Sequence, residues 1–244
     1  MNPTGIEWTE CTWNPVVGCK HGCWYCYARQ QAKRFRQRCE KCYTFEPHIH
    51  PERIFDPLRR RKPATIFVVS MGDLWGDWVP AAWIDAVLDV IHACPQHTFL
   101  ALTKNPERYY EFVKPWNHIL QENLWCGITI TGSRDLERIE TASLLMPAHQ
   151  KKFISFEPLL DDAAAILDDM GLDYVGDATI WDAIIIGPLN KRGHDPVTQR
   201  EWVERIMDVA QTAGVPVILK DACEKIGFTK AEIKAHQQTP WRVR

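Results

Sequence analysis

Cys19, Cys23 and Cys26 stand in the spacing C-x3-C-x2-C on the stretch Gly18-Cys19-Lys20-His21-Gly22-Cys23-Trp24-Tyr25-Cys26. Three thiols on so short a glycine-containing run can converge on one metal centre. Three thiolates on a cubane iron–sulfur cluster leave one iron without a protein ligand, and that iron can bind an outside molecule. The vacancy separates this pattern from the four-cysteine arrangement of electron carriers. Gly18 and Gly22 let the backbone turn tightly beside the metal. A second chemistry stays open on the same residues. With His21 as fourth ligand, the three cysteines would close a tetrahedral zinc site and leave no room for a cofactor. Further along, Cys39-x2-Cys42 reads as a second metal site with His48 or His50, a local zinc knuckle or two free thiols.

The surroundings narrow the choice. The nine cysteines are an odd number, so a purely disulfide framework leaves one over. Met1–Glu10 lacks the apolar segment of a secretory leader, and no run approaches the roughly 18 apolar residues of a membrane span. A reducing, cytoplasmic setting is therefore expected, in which clustered thiols mean metal ligation. The other cysteines, Cys11, Cys94, Cys126 and Cys223, read as core or strand residues. The net charge of −2 makes the whole chain no electrostatic glove for nucleic acid. Residues 1–62 nevertheless hold 12 Lys/Arg against 6 Asp/Glu, a net of +6, which leaves −8 on the remainder. Arg29–Arg38 and Arg59–Lys62 carry that excess. It suits thiolates, nucleic-acid phosphate or a solvated helix face. Eleven tryptophans imply that several line clefts unless they fill the core.

The elements that must position these residues follow one rhythm. Thr65–Ser70, Thr98–Thr103, Leu124–Ile130, Lys152–Phe156, Ala183–Ile186 and Val215–Leu219 are short apolar runs and read as strands, with one more at Thr12–Val17. Helical spacing falls at Ala81–Ala93, Pro106–Val113, Arg134–Leu145, Asp161–Asp169 and Thr198–Ala213. Strands that alternate with helices predict an α/β fold with a parallel sheet. The continuous apolar runs predict a sheet covered on both faces. The expectation is a partial or full (β/α) barrel of about six to seven parallel strands, forming a single domain over 1–244. Residues 31–62 break the rhythm and read as an insertion or extended βα segment. In such a barrel the chemistry gathers where the strands end.

The three-cysteine spacing with an aromatic before the third cysteine resembles the signature of the radical-SAM superfamily. The wider strings extend the resemblance: Trp13-Asn14-Pro15, then GCKHGCWYCYA, SMGDLWGDWVP over Ser70–Pro80, HTFLALTKNPER over His97–Arg108, and SFEPLL over Ser155–Leu160. Their order is similar to that of a phage- and bacteria-associated radical-SAM-like family of unknown function, with a more distant resemblance to the spore photoproduct lyases. It covers the chain from about Gly5 to Asp221.

The resemblance implies a 4Fe–4S cluster on Cys19, Cys23 and Cys26, and S-adenosyl-L-methionine as the molecule at the open iron. The activity implied is reductive cleavage of that cofactor to a 5′-deoxyadenosyl radical, which abstracts hydrogen from an unidentified substrate. By position, Tyr25 would lie against the adenine. Ser70, Gly72 and Asp73 would face the amino group, and Lys104 the carboxylate. Thr129 would reach the ribose, and Glu157 a polar group of cofactor or substrate, as would Lys220 and Asp221. Implied partners are an electron donor such as a flavodoxin or ferredoxin and a substrate for which nucleic acid or a nucleotide is allowed. No membrane is implied, and the setting is a bacterial or phage-infected host cell. Ile186-Gly187-Pro188-Leu189-Asn190 departs from the Gly-Gly-Glu-type string of those relatives, with Asn190 or His194 as replacements for the acid. The competing class is a non-enzymatic zinc- or iron–sulfur-binding adaptor module.

Overall fold

The structure is a computed structural model that describes residues 1–116, 121–147, 149–163, 181–189, 197–237 and 239–241. The chain divides into two compact units, Met1–Trp125 with Trp241–Arg244, and Cys126–Pro240. The first holds β1 (Asn2–Pro3), β2 (Cys11–Trp13), β3 (Val16–Val17), α1 (Tyr27–Ala32), α2 (Glu40–Thr44), β4 (His48–Ile49), α3 (Pro51–Ile54), β5 (Thr65–Val68), α4 (Ala81–His92), β6 (Thr98–Thr103) and α5 (Glu107–Trp116). β7 (Leu124–Ile130) begins there and ends in the second unit, which continues with α6 (Leu136–Leu145), β8 (Lys152–Leu159), β9 (Ala183–Pro188), α7 (Arg200–Thr212), β10 (Val217–Leu219) and α8 (Lys230–Ala235).

The strand order is β1-β2-β5-β6-β7-β8-β9-β10, with a separate two-stranded sheet β3-β4. The pairs β2–β5, β5–β6, β7–β8, β8–β9 and β9–β10 are parallel, and β1 lies antiparallel to β2. The α/β class and the mostly parallel sheet are as expected; the sheet has eight strands, one of them the antiparallel edge strand β1.

Burial explains why these runs are strands. Every residue of β5 and β7 is buried, as a strand covered on both faces requires. Helix α4 buries Ile84, Val87, Leu88 and Ile91, the spacing of one helical face. Helix α7 buries Val203, Ile206 and Ala210 in the same way. After α7, Gly214 takes φ 71° and the Val215 N–H returns to the Ala210 carbonyl. Trp8, Trp13, Trp75, Trp125, Trp181 and Trp241 are buried, so the tryptophans mainly fill core; Trp24 is exposed. Cys11, Cys94, Cys126 and Cys223 are buried as expected. No described helix is long and apolar enough to cross a membrane.

Several expected boundaries move. The strand anticipated at Thr12–Val17 is two strands in two sheets. Pro15 between them lacks a backbone donor, and Asn14 turns its side chain to the Met71 N–H at 2.8 Å. β8 runs past Phe156 to Leu159, with a register shift between Phe156 and Leu159 against β9. Ser133–Asp135 is a 3-10 turn ahead of α6. Asp161, Asp162 and Ala163 are not helical, and the rest of the helix expected there lies outside the described residues, as do Asn190 and His194. The 31–62 segment, expected as an insertion or extended βα segment, carries α2, β4 and α3.

Candidate functional site

In the first unit the three cysteines lie on the connection from β3 to α1. Gly18 holds φ 98° and Gly22 φ 71°, both open to glycine at low cost. Cys26 caps α1: its Sγ accepts the Arg29 N–H at 3.3 Å. The Cys26 N–H donates to the Cys23 carbonyl at 3.2 Å, and the Arg29 guanidinium reaches the Cys19 carbonyl at 3.4 Å. Cys19, Cys26 and Met71 pack against the buried cluster of Ala28, Ala32 and Phe45. All three thiols remain partly exposed. Burial lifts the Cys19 thiol to about 12. A hydrogen bond from the His21 backbone opposes the rise, while the charges of Asp73, Cys23 and Cys26 add to it.

The turn after β5 fixes this loop. The Gly18 N–H donates to the Met71 carbonyl at 2.9 Å, and Gly18 forms an isolated parallel bridge with Gly72. A Cβ on Gly72 would stand 2.7 Å from the Gly18 carbonyl oxygen, so the absent side chain admits the cysteine loop itself. Val69 takes φ 56°, a strained value for a β-branched residue. It is held there by its N–H to the Trp13 carbonyl at 2.7 Å. Ser70 exchanges hydrogen bonds with the Asn14 amide, and its carbonyl accepts the Tyr27 hydroxyl at 2.7 Å.

Asp73 is the hub. It is 4% exposed, and its carboxylate accepts from Thr103 Oγ1 at 2.9 Å, the Trp75 N–H at 3.0 Å, the Lys104 N–H at 3.1 Å and His21 Nε2 at 2.8 Å. Those donors fill the roughly four lone-pair directions of a carboxylate. One side chain thus joins the cysteine loop to the end of β6. The His21 ring also meets Trp78 edge-on at 4.8 Å. Lys104 Nζ stands 5.6 Å from the centre of the Tyr25 ring, which brings those two expected residues together.

The second unit positions the other expected residues. Thr129 is buried on β7, and its carbonyl accepts from Arg138 at 3.1 Å. Glu157 does not end its strand as expected; it lies within β8 and pairs with Lys220, which follows β10. A Cβ on Gly187 of β9 would lie 2.9 Å from Lys220 Cδ, so that glycine makes room for the pair. Asp221 accepts from the Gln237 amide at 2.7 Å.

Sequence reasoning missed the tie of His21 and Thr103 to Asp73, and it missed Asn14. The polar side chain before Pro15 was the available signal for Asn14. It also left Cys39 and Cys42 open between a second metal site with His48 or His50, a local zinc knuckle and two free thiols. Among the described residues, the Cys/His group whose donor atoms all lie within 4.8 Å of one another is Cys39, Cys42, His48 and His50. Cys19, Cys23 and Cys26, with or without His21, are not such a group at that spacing.

The close fit behind Gly18 is testable. A Cβ there would stand 2.4 Å from the Glu46 backbone carbonyl carbon, and the φ of 98° disfavours any side chain. Gly18→Ala is expected to cost about 2–4 kcal/mol, from backbone strain and overpacking together. A denaturant midpoint that falls with unchanged m-value checks this; an unshifted midpoint would contradict the packing described.

Comparisons with known proteins bear on the fold and the family. No curated protein matches the sequence. Among solved structures, the fold is similar to spore photoproduct lyase complexed with dinucleoside spore photoproduct, at TM-score 0.50 and 11% identity. The match covers 90% of this chain and 62% of that one, so this chain spans less than two thirds of that enzyme's length. A mutant of spore photoproduct lyase with dinucleoside spore photoproduct is similar at TM-score 0.50 and 11% identity, over 86% of this chain and 76% of that one. At such identity the likeness concerns the fold alone. Residues 3–239 match one family profile, and the chain belongs to that family, described as "Protein of unknown function (DUF5131)".

Proposed function

We propose that this chain is a radical-SAM enzyme in which Cys19, Cys23 and Cys26 hold a 4Fe–4S cluster and S-adenosyl-L-methionine is the second cofactor. One observation carries the reading. Three partly exposed cysteines sit on a single turn, pinned by Gly18, Gly72 and the Asp73–His21 hydrogen bond. Three thiols at the spacing C-x3-C-x2-C suit a cubane that keeps one iron open. A fold similar to spore photoproduct lyase agrees with this. When bound, the cluster supplies the electron that cleaves S-adenosylmethionine and yields the hydrogen-abstracting 5′-deoxyadenosyl radical.

The chain's own residues then divide the remaining work. Tyr25 offers an aromatic face for the adenine, and Lys104 beside it offers an ammonium for the carboxylate. The backbone of Ser70–Gly72 stands beside the cysteine loop, where the cofactor's amino group needs acceptors. Asp73, with its acceptor positions filled, acts as a positioning residue for His21 and Lys104 and not as a direct ligand. The electron comes from a small donor protein of the flavodoxin or ferredoxin class. Nucleic acid or a nucleotide is the favoured substrate class, on the basic excess of residues 1–62 and the dinucleoside held by the similar enzyme.

The test uses the full chain, purified and reconstituted without oxygen with iron and sulfide. It is expected to bind about four irons. On addition of dithionite and S-adenosylmethionine it is expected to release methionine and 5′-deoxyadenosine. Iron-loaded protein that leaves S-adenosylmethionine intact would refute the reading.

A further inference from the structure

We propose that Cys39, Cys42, His48 and His50 form a tetrahedral zinc site, separate from the cysteine loop, that clamps the strand pair behind Gly18. Four donor atoms from two short segments face one point. His48 Nε2 lies 3.5 Å from Cys39 Sγ and 3.4 Å from Cys42 Sγ; His50 Nε2 lies 3.2 Å from Cys42 Sγ and 2.9 Å from His48 Nε2. A zinc tetrahedron with sulfur at about 2.3 Å and nitrogen at about 2.0–2.1 Å has sulfur–nitrogen edges of about 3.6 Å and a nitrogen–nitrogen edge of about 3.3 Å. The observed separations are a few tenths of an ångström shorter than these edges, and all four donor atoms lie within 4.8 Å of one another, close enough to surround one cation.

The outer contacts fix which imidazole nitrogens are free to ligate. His48 Nδ1 stands 2.7 Å from the Glu46 carbonyl oxygen, an atom that can only accept, so Nδ1 carries the hydrogen. His50 Nδ1 stands 2.9 Å from the Glu52 carboxylate and donates likewise. In the neutral rings both Nε2 atoms then present lone pairs, and these face each other. Two lone pairs at 2.9 Å repel unless a cation lies between them. Imidazoles that donate one nitrogen to a carbonyl and a carboxylate while offering the other inward are the usual outer arrangement of zinc ligands. Cys42, His48 and His50 are buried, so the donors are shielded from water. Four donors turned to one point suit a single tetrahedral ion, and two sulfurs with two nitrogens suit Zn²⁺. On binding, both thiols ligate as thiolates and their protons leave to solvent.

Local structure explains how the residues meet. His48 and His50 are two apart on extended chain and so point to one side. Cys39 caps α2, its Sγ accepting the Cys42 N–H at 3.3 Å, which turns Cys42 back towards the histidines. β4 pairs with β3 through Val17 and His48, and Gly18 follows at once. The clamp therefore holds the backbone against which Gly18 packs, and so sets where Cys19 begins.

Zinc content, measured on the full chain purified in reductant, is expected near one per chain, whether or not iron is loaded. With Co²⁺ as the probe, the wild-type chain should show the visible bands of a tetrahedral site with two thiolates. Cys39→Ala is expected to weaken zinc binding by at least about a hundredfold in competition with a chromophoric chelator. Glu52→Gln changes an exposed residue of little consequence for folding and is expected to weaken it by about 10- to 100-fold. Cys23→Ala should leave zinc unchanged. A chain that takes up neither Zn²⁺ nor Co²⁺, or that loses zinc with Cys23→Ala and not with Cys39→Ala, would overturn the assignment. The zinc and cobalt measurements depend on neither iron nor cleavage of S-adenosylmethionine, so this inference can fail while the proposed function stands.

Discussion

Cys23→Ala is expected to leave a folded chain that retains no iron above background and forms 5′-deoxyadenosine at least about a thousandfold more slowly than the wild type. The asymmetry between fold and activity follows from where the residue sits. Cys23 is partly exposed on an irregular turn, and what the turn takes from it is its backbone carbonyl, which accepts the Cys26 N–H. Alanine supplies the same carbonyl, so stability should move by no more than about 0.5 kcal/mol, the usual range for surface changes. The sulfur is a different matter. Two remaining thiolates, Cys19 and Cys26, cannot hold a cubane that already has one corner without a protein ligand. A thousandfold loss corresponds to about 4 kcal/mol of transition-state stabilisation, a modest requirement for loss of the whole redox centre. Cys94→Ala is the control: Cys94 is buried behind α4, and its removal should cost some stability but no iron. Full activity in Cys23→Ala, or equal loss of iron in both variants, would remove the basis for assigning the cluster to this turn.

Much of the frame behind that turn was legible from residue types alone. Thr98–Thr103 and Leu124–Ile130 are strands over the ranges read from the sequence, because uninterrupted apolar runs suit a sheet covered on both faces. α4 was equally plain in its period, and Gly214 marked the end of α7 through its positive φ. The errors have physical sources. Asn14 broke the first expected strand because its amide satisfies a turn 57 residues away in sequence, and no local propensity encodes such a partner. Glu157 was placed at a strand end because Pro158 follows it. β8 continues beyond, and proline at a register shift is compatible with a strand there. The zinc ligands were visible as Cys-x2-Cys and His-x-His, but their convergence depends on the antiparallel pairing of β3 with β4. Each of those strands is two residues long, far below what periodicity can detect.

Asp73 shows the same limit most clearly, and its removal is expected to have the second-largest effect. In the sequence it is one acid in Ser70-Met71-Gly72-Asp73, suited to a cofactor's ammonium or to a turn. In the fold its carboxylate gathers the Trp75 N–H, the Thr103 hydroxyl, the Lys104 N–H and the His21 ring, from three separate places in the chain. Asp73→Ala leaves buried donors without acceptors, each costing about 1–3 kcal/mol when orphaned. Because the donors share one network the costs do not add, and a total of about 3–5 kcal/mol is expected. Asp73→Asn keeps the shape, but both oxygens receive donors, so whichever way the amide turns its NH2 meets one of them. About 1–3 kcal/mol is expected for that conflict. Function should suffer beyond stability. Freed from Asp73, His21 no longer ties the cysteine loop to the end of β6, and the backbone of Lys104 loses its anchor. Iron retention should fall in Asp73→Ala at temperatures where circular dichroism shows the chain still folded. The concentration of S-adenosylmethionine needed for half-maximal 5′-deoxyadenosine formation should rise about tenfold or more in Asp73→Asn, the loss of roughly 1.4 kcal/mol of binding. Wild-type iron content and wild-type cofactor dependence in both variants would reduce Asp73 to a turn residue and leave the position of the cysteine loop to Gly18 and Gly72 alone.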